Sequence, residues 1–263
     1  MCFDADARPP DLPADLVRGM AGGAKAELLV LSSADGTRFS AALAGSAEAA
    51  DVGVAILPDV RGLYRFYVEL AERFAEAGRH AIAIDYFGRT AGVGERGEDF
   101  DYWPHVMETR PSQIQADLVA AIEALKDRTG AGGVVTVGFC FGGLQSFLAD
   151  ADGLELAGAV GFYAGLNTER WGIKSPVERA AEMHGPLLGL FGGADQGIPV
   201  ELVERFDGAL ADAGVEHEIK VYPGAPHSFF DRKYEEYAEE CEDAWRRVLA
   251  FLDRVEERVG SKR

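Results

Sequence analysis

The chain has 263 residues, 48% of them hydrophobic and 27% charged, a globular composition with enough apolar material for one sizeable core. Against 26 Lys and Arg stand 44 Asp and Glu, a formal net charge of −18. Such a surface repels phosphate backbones and anionic lipid, which argues against nucleic-acid and membrane partners. Three cysteines, Cys2, Cys140 and Cys241, are too few and too odd in number for a disulfide scaffold, so a reducing, cytoplasmic setting is expected. The first ten residues carry acids and prolines where a secretory signal needs a basic start and an apolar run.

Residues 1–24 read as a poorly ordered tail, 25–258 as one domain and 259–263 as a C-terminal tail. Glu27 to Leu31 and Arg38 to Ala44 form a candidate hairpin. Val52 to Leu57 is an apolar strand bounded by Pro58, and Leu63, Phe66, Tyr67, Leu70 and Phe74 then recur at helical spacing until Gly78. Ala81 to Ile84 is the next strand, and Ile114 to Leu125 the next helix. From Thr129 to Ala149 no charged residue occurs over 21 positions, a length that could pass for a membrane span. Its two halves differ, however: Gly133 to Phe139 is β-branched and strand-like, and Phe141 to Ala149 has helical spacing. Ala157 to Tyr163, Leu187 to Phe191 and Glu218 to Tyr222 are further strands, with a helix from Val200 to Leu210. A last helix carries Tyr234, Tyr237, Cys241, Trp245, Val248, Leu252 and Val255 on one stripe. Repeated β-α alternation implies a mostly parallel sheet with helices on both faces. The segments Gly88 to Pro111 and Ala164 to Gly185 show no periodicity and read as long loops shaping a site.

The strongest chemical signal is Gly138-Phe-Cys140-Phe-Gly-Gly143, placed where a strand turns into a helix. A sharp strand-to-helix turn flanked by small residues presents a nucleophile at the top of a sheet. A thiol at a helix N-terminus is also drawn toward the thiolate by the helix dipole. In this architecture a nucleophile is followed along the chain by an acid and then a histidine, each at the end of a later strand. Asp195 follows the Leu187 to Phe191 strand, and His227 follows the Glu218 to Tyr222 strand, in that order. His80, His184 and His217 each precede a strand, at the wrong end of the sheet, and His105 in the 88–111 loop is the remaining rival base. Cys241 falls on an apolar helix stripe and reads as core. The oxyanion donors expected are the amides of Phe141, next to the nucleophile, and Val60, in the loop Pro58-Asp-Val-Arg-Gly62.

With Gly-Phe-Cys140-Phe-Gly-Gly, Gly-Gly-Ala-Asp195, Pro-His227-Ser-Phe, Pro58-Asp59-Val60-Arg-Gly62 and Asp85-Tyr-Phe-Gly-Arg89, the sequence resembles the dienelactone hydrolase (carboxymethylenebutenolidase) family over roughly residues 25 to 258. The resemblance implies a single-domain α/β-hydrolase fold. It implies cleavage of a lactone or carboxylic ester through an acyl-cysteine, with a Cys140–His227–Asp195 triad and neither metal nor organic cofactor. It also implies a carboxylate that gates the resting thiol, here Asp59, one methylene shorter than the family's usual Glu. Arg89 matches an arginine that binds the substrate carboxylate, whereas the second such arginine position holds Asp231, followed by Arg232. Tyr163, at a strand end, is a candidate substrate contact. The expected partner is a small ester or lactone, and the expected state a monomer or weak homodimer. Rival readings are an esterase, thioesterase or phosphotriesterase acting on neutral substrates, a redox protein cycling Cys140, and a non-catalytic binding module.

Overall fold

A computed structural model describes residues 7–18, 25–46, 51–94 and 96–261. Eight strands form one sheet: β1 (Glu27–Ser32), β2 (Arg38–Ala44), β3 (Val52–Leu57), β4 (Ala81–Ile84), β5 (Gly133–Phe139), β6 (Gly158–Phe162), β7 (Leu187–Gly192) and β8 (His217–Tyr222). Their spatial order is β1-β2-β4-β3-β5-β6-β7-β8, parallel from β4 through β8, with the β1–β2 hairpin joined antiparallel to β4. Every residue of β3, β4, β5, β6 and β7 is buried. That is the signature of a parallel sheet covered on both faces, and it explains why these strands read as continuous apolar runs.

Seven helices accompany the sheet among the described residues: α1 (Arg65–Glu76), α2 (Gly88–Ala91), α3 (Tyr102–Glu108), α4 (Pro111–Thr129), α5 (Phe141–Ala151), α6 (Val200–Asp212) and α7 (Ala238–Ser261). One core cluster joins Phe66, Tyr67, Leu70 and Phe74 of α1 to Trp245, Val248 and Leu252 of α7 and to alternate sheet residues such as Val54, Ile56, Val135 and Val137. The other joins Ile114, Leu118, Ala121 and Leu125 of α4 to Ala55, Leu57, Ile82 and Ile84. Neighbouring strand residues thus point into different clusters, as the two-residue strand period requires. The uncharged stretch 129–149 divides at Cys140 into β5 and α5, and no helix among the described residues is long and apolar enough to cross a membrane.

Four expectations are corrected. Residues 7–18 are not a loose tail: Leu12 is buried in the larger cluster, Trp245 Nε1 donates to the Pro10 carbonyl, and Asp11 and Asp15 pair with Arg73 and Arg246. Residues 1–6, with Cys2, and 19–24 lie outside the described set. Helix α7 runs on to Ser261, into the expected C-terminal tail, because Val259 still has Gly133 to pack on, and residues 262–263 of that tail lie outside the described set. The 88–111 loop contains α2 and α3, too short to show a periodicity, and the 164–185 loop contains two single 3₁₀ turns, Glu169–Trp171 and Ala180–Glu182. Tyr234 and Tyr237 pack on the core from turns that precede α7, not from the helix itself.

Candidate active site

The β5–α5 turn is held by glycines for steric reasons. A Cβ at Gly142 would strike the carbonyls of Leu57 and Pro58, one at Gly138 would strike the Gly142 carbonyl, and one at Gly143 would lie 2.7 Å from the Ala164 Cβ. The elbow is therefore pressed against the ends of β3 and β6. Between these glycines Cys140 adopts φ 54° and ψ −109°, a conformation costly for any residue but glycine. The neighbours hold it there: its amide donates to the Phe162 carbonyl at 3.0 Å, and its carbonyl accepts from Leu144 and Gly165 at 3.2 and 3.1 Å. The side chain is half-buried at the N-terminus of α5.

Strands β5, β6, β7 and β8 are consecutive neighbours, so their C-terminal ends place Cys140, Tyr163, Asp195 and His227 along one edge. The loops after β7 and β8 interlock, with Gly193 N donating to Tyr222 O at 2.8 Å and Ala194 N to Ala225 O at 3.0 Å. Asp195 is buried. Its Oδ1 accepts the amides of Gly197 and Ile198 at 2.8 and 3.2 Å, and its Oδ2 lies 2.6 Å from His227 Nδ1. A carboxylate that accepts from Nδ1 places the imidazole proton there and leaves Nε2 as the basic nitrogen. Half-exposed His227 also packs on the Tyr163 ring, with centroids 4.9 Å apart. Among the described residues the non-glycine positions with positive φ are Cys140, Tyr163 and Ser228, and all three lie on this edge. Strained backbone of this kind clusters at functional sites.

The β3–α1 loop faces the elbow. Tyr86 Oη donates to the Pro58 carbonyl at 2.8 Å, the Asp59 amide donates to Tyr67 Oη at 3.0 Å, and Gly62 N closes a turn on Asp59 O at 3.2 Å. Val60 is half-buried at the crown of that turn. Neither its amide nor that of Phe141 has an acceptor among the described residues. Phe141 packs edge-on against Tyr86 and lies 6.0 Å from the Trp171 ring, over which the Arg170 guanidinium is stacked at 4.5 Å. Burial, with Asp231, Asp59 and Cys140 adding to it, holds the Tyr163 phenol well above its ordinary range, so it remains a hydrogen-bond donor.

The charged candidates are more constrained than the sequence suggests. Asp59 is held by Arg61, whose Nε and Nη2 reach its two oxygens at 2.8 to 3.1 Å and whose amide adds a bond at 2.9 Å. The same Arg61 Nη2 also bonds Asp231. Arg89 is held between buried Asp117 at 2.6 Å and half-exposed Asp35 at 2.9 Å. The rival base His105 stacks on Phe100 with centroids 5.0 Å apart, on α3. Sequence reasoning passed over Arg61, and gave Tyr86 no role. The tyrosine could have been found as the residue after Asp85 in the strand-end motif, but nothing local marks the arginine. Among the described residues no group of three or more His, Cys, Asp and Glu is placed to hold a metal ion.

The model of the dienelactone hydrolase family matches residues 39–256. A Methylorubrum extorquens protein provisionally named carboxymethylenebutenolidase is 31% identical over 202 residues, 74% of this chain and 69% of its own. An Escherichia coli K12 protein with the same provisional name is 31% identical over 204 residues, 76% of this chain and 75% of its own. A crystal structure from Klebsiella pneumoniae, described provisionally as a dienelactone hydrolase, superposes with a TM-score of 0.73 at 28% identity, covering 86% of this chain and 99% of that one. A dienelactone hydrolase-like promiscuous phosphotriesterase from metagenomic libraries shares the fold, with a TM-score of 0.72 at 19% identity over 88% of this chain and 99% of that one.

Proposed function

The chain belongs to the dienelactone hydrolase family and is a hydrolase of ester or lactone bonds; on that premise we propose that it works through an acyl-cysteine. His227 Nε2 takes the proton of the Cys140 thiol as the sulfur forms a bond to the substrate carbonyl carbon. The carbonyl π pair moves onto oxygen, and that oxyanion is received by the Val60 and Phe141 amides. Collapse breaks the carbon–oxygen bond of the ester, and the leaving alkoxide takes the proton from His227. Water then attacks the thioester with His227 as base, which releases the acid and restores the thiol. Asp195 keeps the imidazole in the required tautomer and stabilises its cation.

The observation that carries this reading is the 2.6 Å Asp195–His227 contact on strand ends adjoining the Cys140 turn. Tyr163 borders the acyl pocket. Asp59 is the gating carboxylate of this proposal, with one difference from a free side chain: the thiol must compete with a guanidinium for it. Arg89 anchors an anionic substrate by exchanging its half-exposed partner Asp35.

A second reading, hydrolysis of neutral esters, thioesters or phosphotriesters, is favoured by two observations. Arg89 already faces two carboxylates, and the second arginine position of the family holds Asp231. The test is steady-state hydrolysis of a dienelactone beside a neutral aryl ester by wild type, Cys140→Ala and Arg89→Ala. The first reading expects Cys140→Ala to abolish both reactions and Arg89→Ala to impair the dienelactone selectively. Indifference to Arg89, with the neutral ester preferred, moves the assignment to the second reading. Retained turnover in Cys140→Ala overturns both.

A further inference from the structure

Arg61 belongs to neither the triad nor the oxyanion donors, yet its surroundings are built around it. The residue is 3% exposed, and its carboxylate partners Asp59 and Asp231 are 4% and 1% exposed. Asp59 lies two residues before it, on the loop that carries Val60. Asp231 lies 170 positions away and four residues after His227, on the loop that follows β8. One buried guanidinium therefore ties the oxyanion loop to the histidine loop. Its rotamer is fixed by three rings of the α1 end, with Tyr64, Phe66 and Tyr67 centroids 5.0, 5.6 and 5.6 Å from its Cζ.

The attachments on either side of this link are unequal. The histidine loop has other anchors: His227 is bonded to Asp195, and the Asp231 amide closes on the Ser228 carbonyl at 3.1 Å. The oxyanion loop is fixed at Pro58 by Tyr86 and at the Asp59 amide by Tyr67. Val60 stands beyond those two points, between Asp59 and Arg61. The Arg61–Asp59 pair lies within that loop and cannot by itself place it against the rest of the site. The Arg61–Asp231 bond can.

We infer that Arg61 is a positioning residue: by bridging Asp59 and Asp231 it sets the Val60 amide at the distance from His227 and Cys140 that the oxyanion requires. This rests on the acyl-cysteine reading above. Guanidinium suits the task because its planar fork can serve two carboxylates at once, whereas an ammonium on a flexible stem offers no such geometry. Misplacing a reacting or stabilising group by about 1 Å can cost on the order of 10²-fold in rate.

The experiment compares two reactions of Cys140 in wild type, Arg61→Met, Arg61→Lys and Asp231→Asn. Acylation by an aryl ester is followed as the pre-steady-state burst, and alkylation by iodoacetamide is followed by mass spectrometry. Alkylation displaces iodide at a saturated carbon and forms no oxyanion, so it reports the thiol and His227 without the Val60 amide. The expected result is an acylation rate down about 10²-fold in Arg61→Met and tens-fold in Asp231→Asn, with the ester dissociation constant from the concentration dependence of the burst within threefold of wild type, and with alkylation within threefold in Asp231→Asn, where Arg61 still holds Asp59. Arg61→Lys should fall between wild type and Arg61→Met. If Arg61→Met does not fold, Asp231→Asn decides, since it leaves the Arg61–Asp59 pair intact and charge-balanced. Acylation within threefold of wild type in the folded variants overturns the inference, and so does a parallel fall of acylation and alkylation in Asp231→Asn, which is the mark of a merely structural role. Cys140→Ala separates the two levels: if it still turns over, the acyl-cysteine reading fails whatever Arg61 does.

Discussion

Replacing Asp195 with Asn changes one oxygen for an amide nitrogen and little else. The carboxamide oxygen can still accept the Gly197 and Ile198 amides that Oδ1 now accepts at 2.8 and 3.2 Å, so the loop is expected to hold its shape. What is lost is the 2.6 Å bond to His227 Nδ1 from a carboxylate whose side chain is only 2% exposed. A charge-assisted hydrogen bond is worth about 1.5–3 kcal/mol, or roughly 10- to 150-fold in rate if it strengthens as the imidazolium forms. The amide also presents a donor to Nδ1, which drives the imidazole proton to Nε2, the atom that must receive the thiol proton. The corresponding exchange in serine proteases costs about 10⁴-fold. A thiol ionises far more readily than a hydroxyl and depends less on its base. The expected loss in kcat/KM is therefore about 10³-fold at pH 7, and it should shrink as rising pH ionises the thiol without help from a base. An aryl ester assay from pH 6 to 9.5, with thermal unfolding as a control for the fold, measures both features. A loss below tenfold at pH 7, or a deficit that grows with pH, would exclude this role for Asp195.

Three further outcomes follow from the same structure. Gly142→Ala forces a methyl into the Leu57 and Pro58 carbonyls, so a loss of about 3 kcal/mol in urea unfolding is expected together with loss of ester turnover. Arg79 is buried and pairs with Asp253 and Glu256 of α7; Arg79→Met leaves Asp253 its bond to Arg18 and Glu256 its bond from the Asp51 amide, and both carboxylates reach solvent, so a cost of about 1 kcal/mol is expected while kcat of the folded fraction stays within twofold. Burial raises the Cys241 thiol from 9.0 to about 12, so the folded chain keeps it protonated where the unfolded chain ionises it. The stability it contributes is complete below pH 9 and is lost between pH 9 and about 12; Cys241→Val should flatten that alkaline decline in denaturant midpoint, and an unchanged slope would contradict the assignment.

Much of this was legible in the sequence because it is local. The Gly138-Phe-Cys140-Phe-Gly-Gly143 turn announces itself through the small residues that its collisions demand, and β3, β5 and β7 through apolar runs that only a doubly covered sheet produces. The order Cys140, Asp195, His227 needed only the β-α rhythm to be placed along one edge. The Arg61 bridge was not legible, since its second carboxylate is 170 residues distant and no spacing rule connects them. Helices α2 and α3 escaped because four and seven residues are too few to display a 3.6-residue period. The packing of residues 7–18 escaped for a related reason: Leu12 is buried in the larger core cluster and the Pro10 carbonyl is held by Trp245 of α7, far along the chain, not by local propensity. For Arg89, sequence gave the position but not the state, because its partners Asp35 and Asp117 come from the hairpin turn and from α4.

In the proposed mechanism the substrate acyl group passes through the Cys140 sulfur. This step is tested most directly by quenching the enzyme with acid during turnover of a slowly deacylated ester, then locating the added mass by peptide mass spectrometry. One acyl group is expected on the peptide containing Cys140, absent in Cys140→Ala and accumulating in Asp195→Asn no faster than in wild type. An acyl group on another residue, or full turnover by Cys140→Ala with no adduct, would contradict the mechanism.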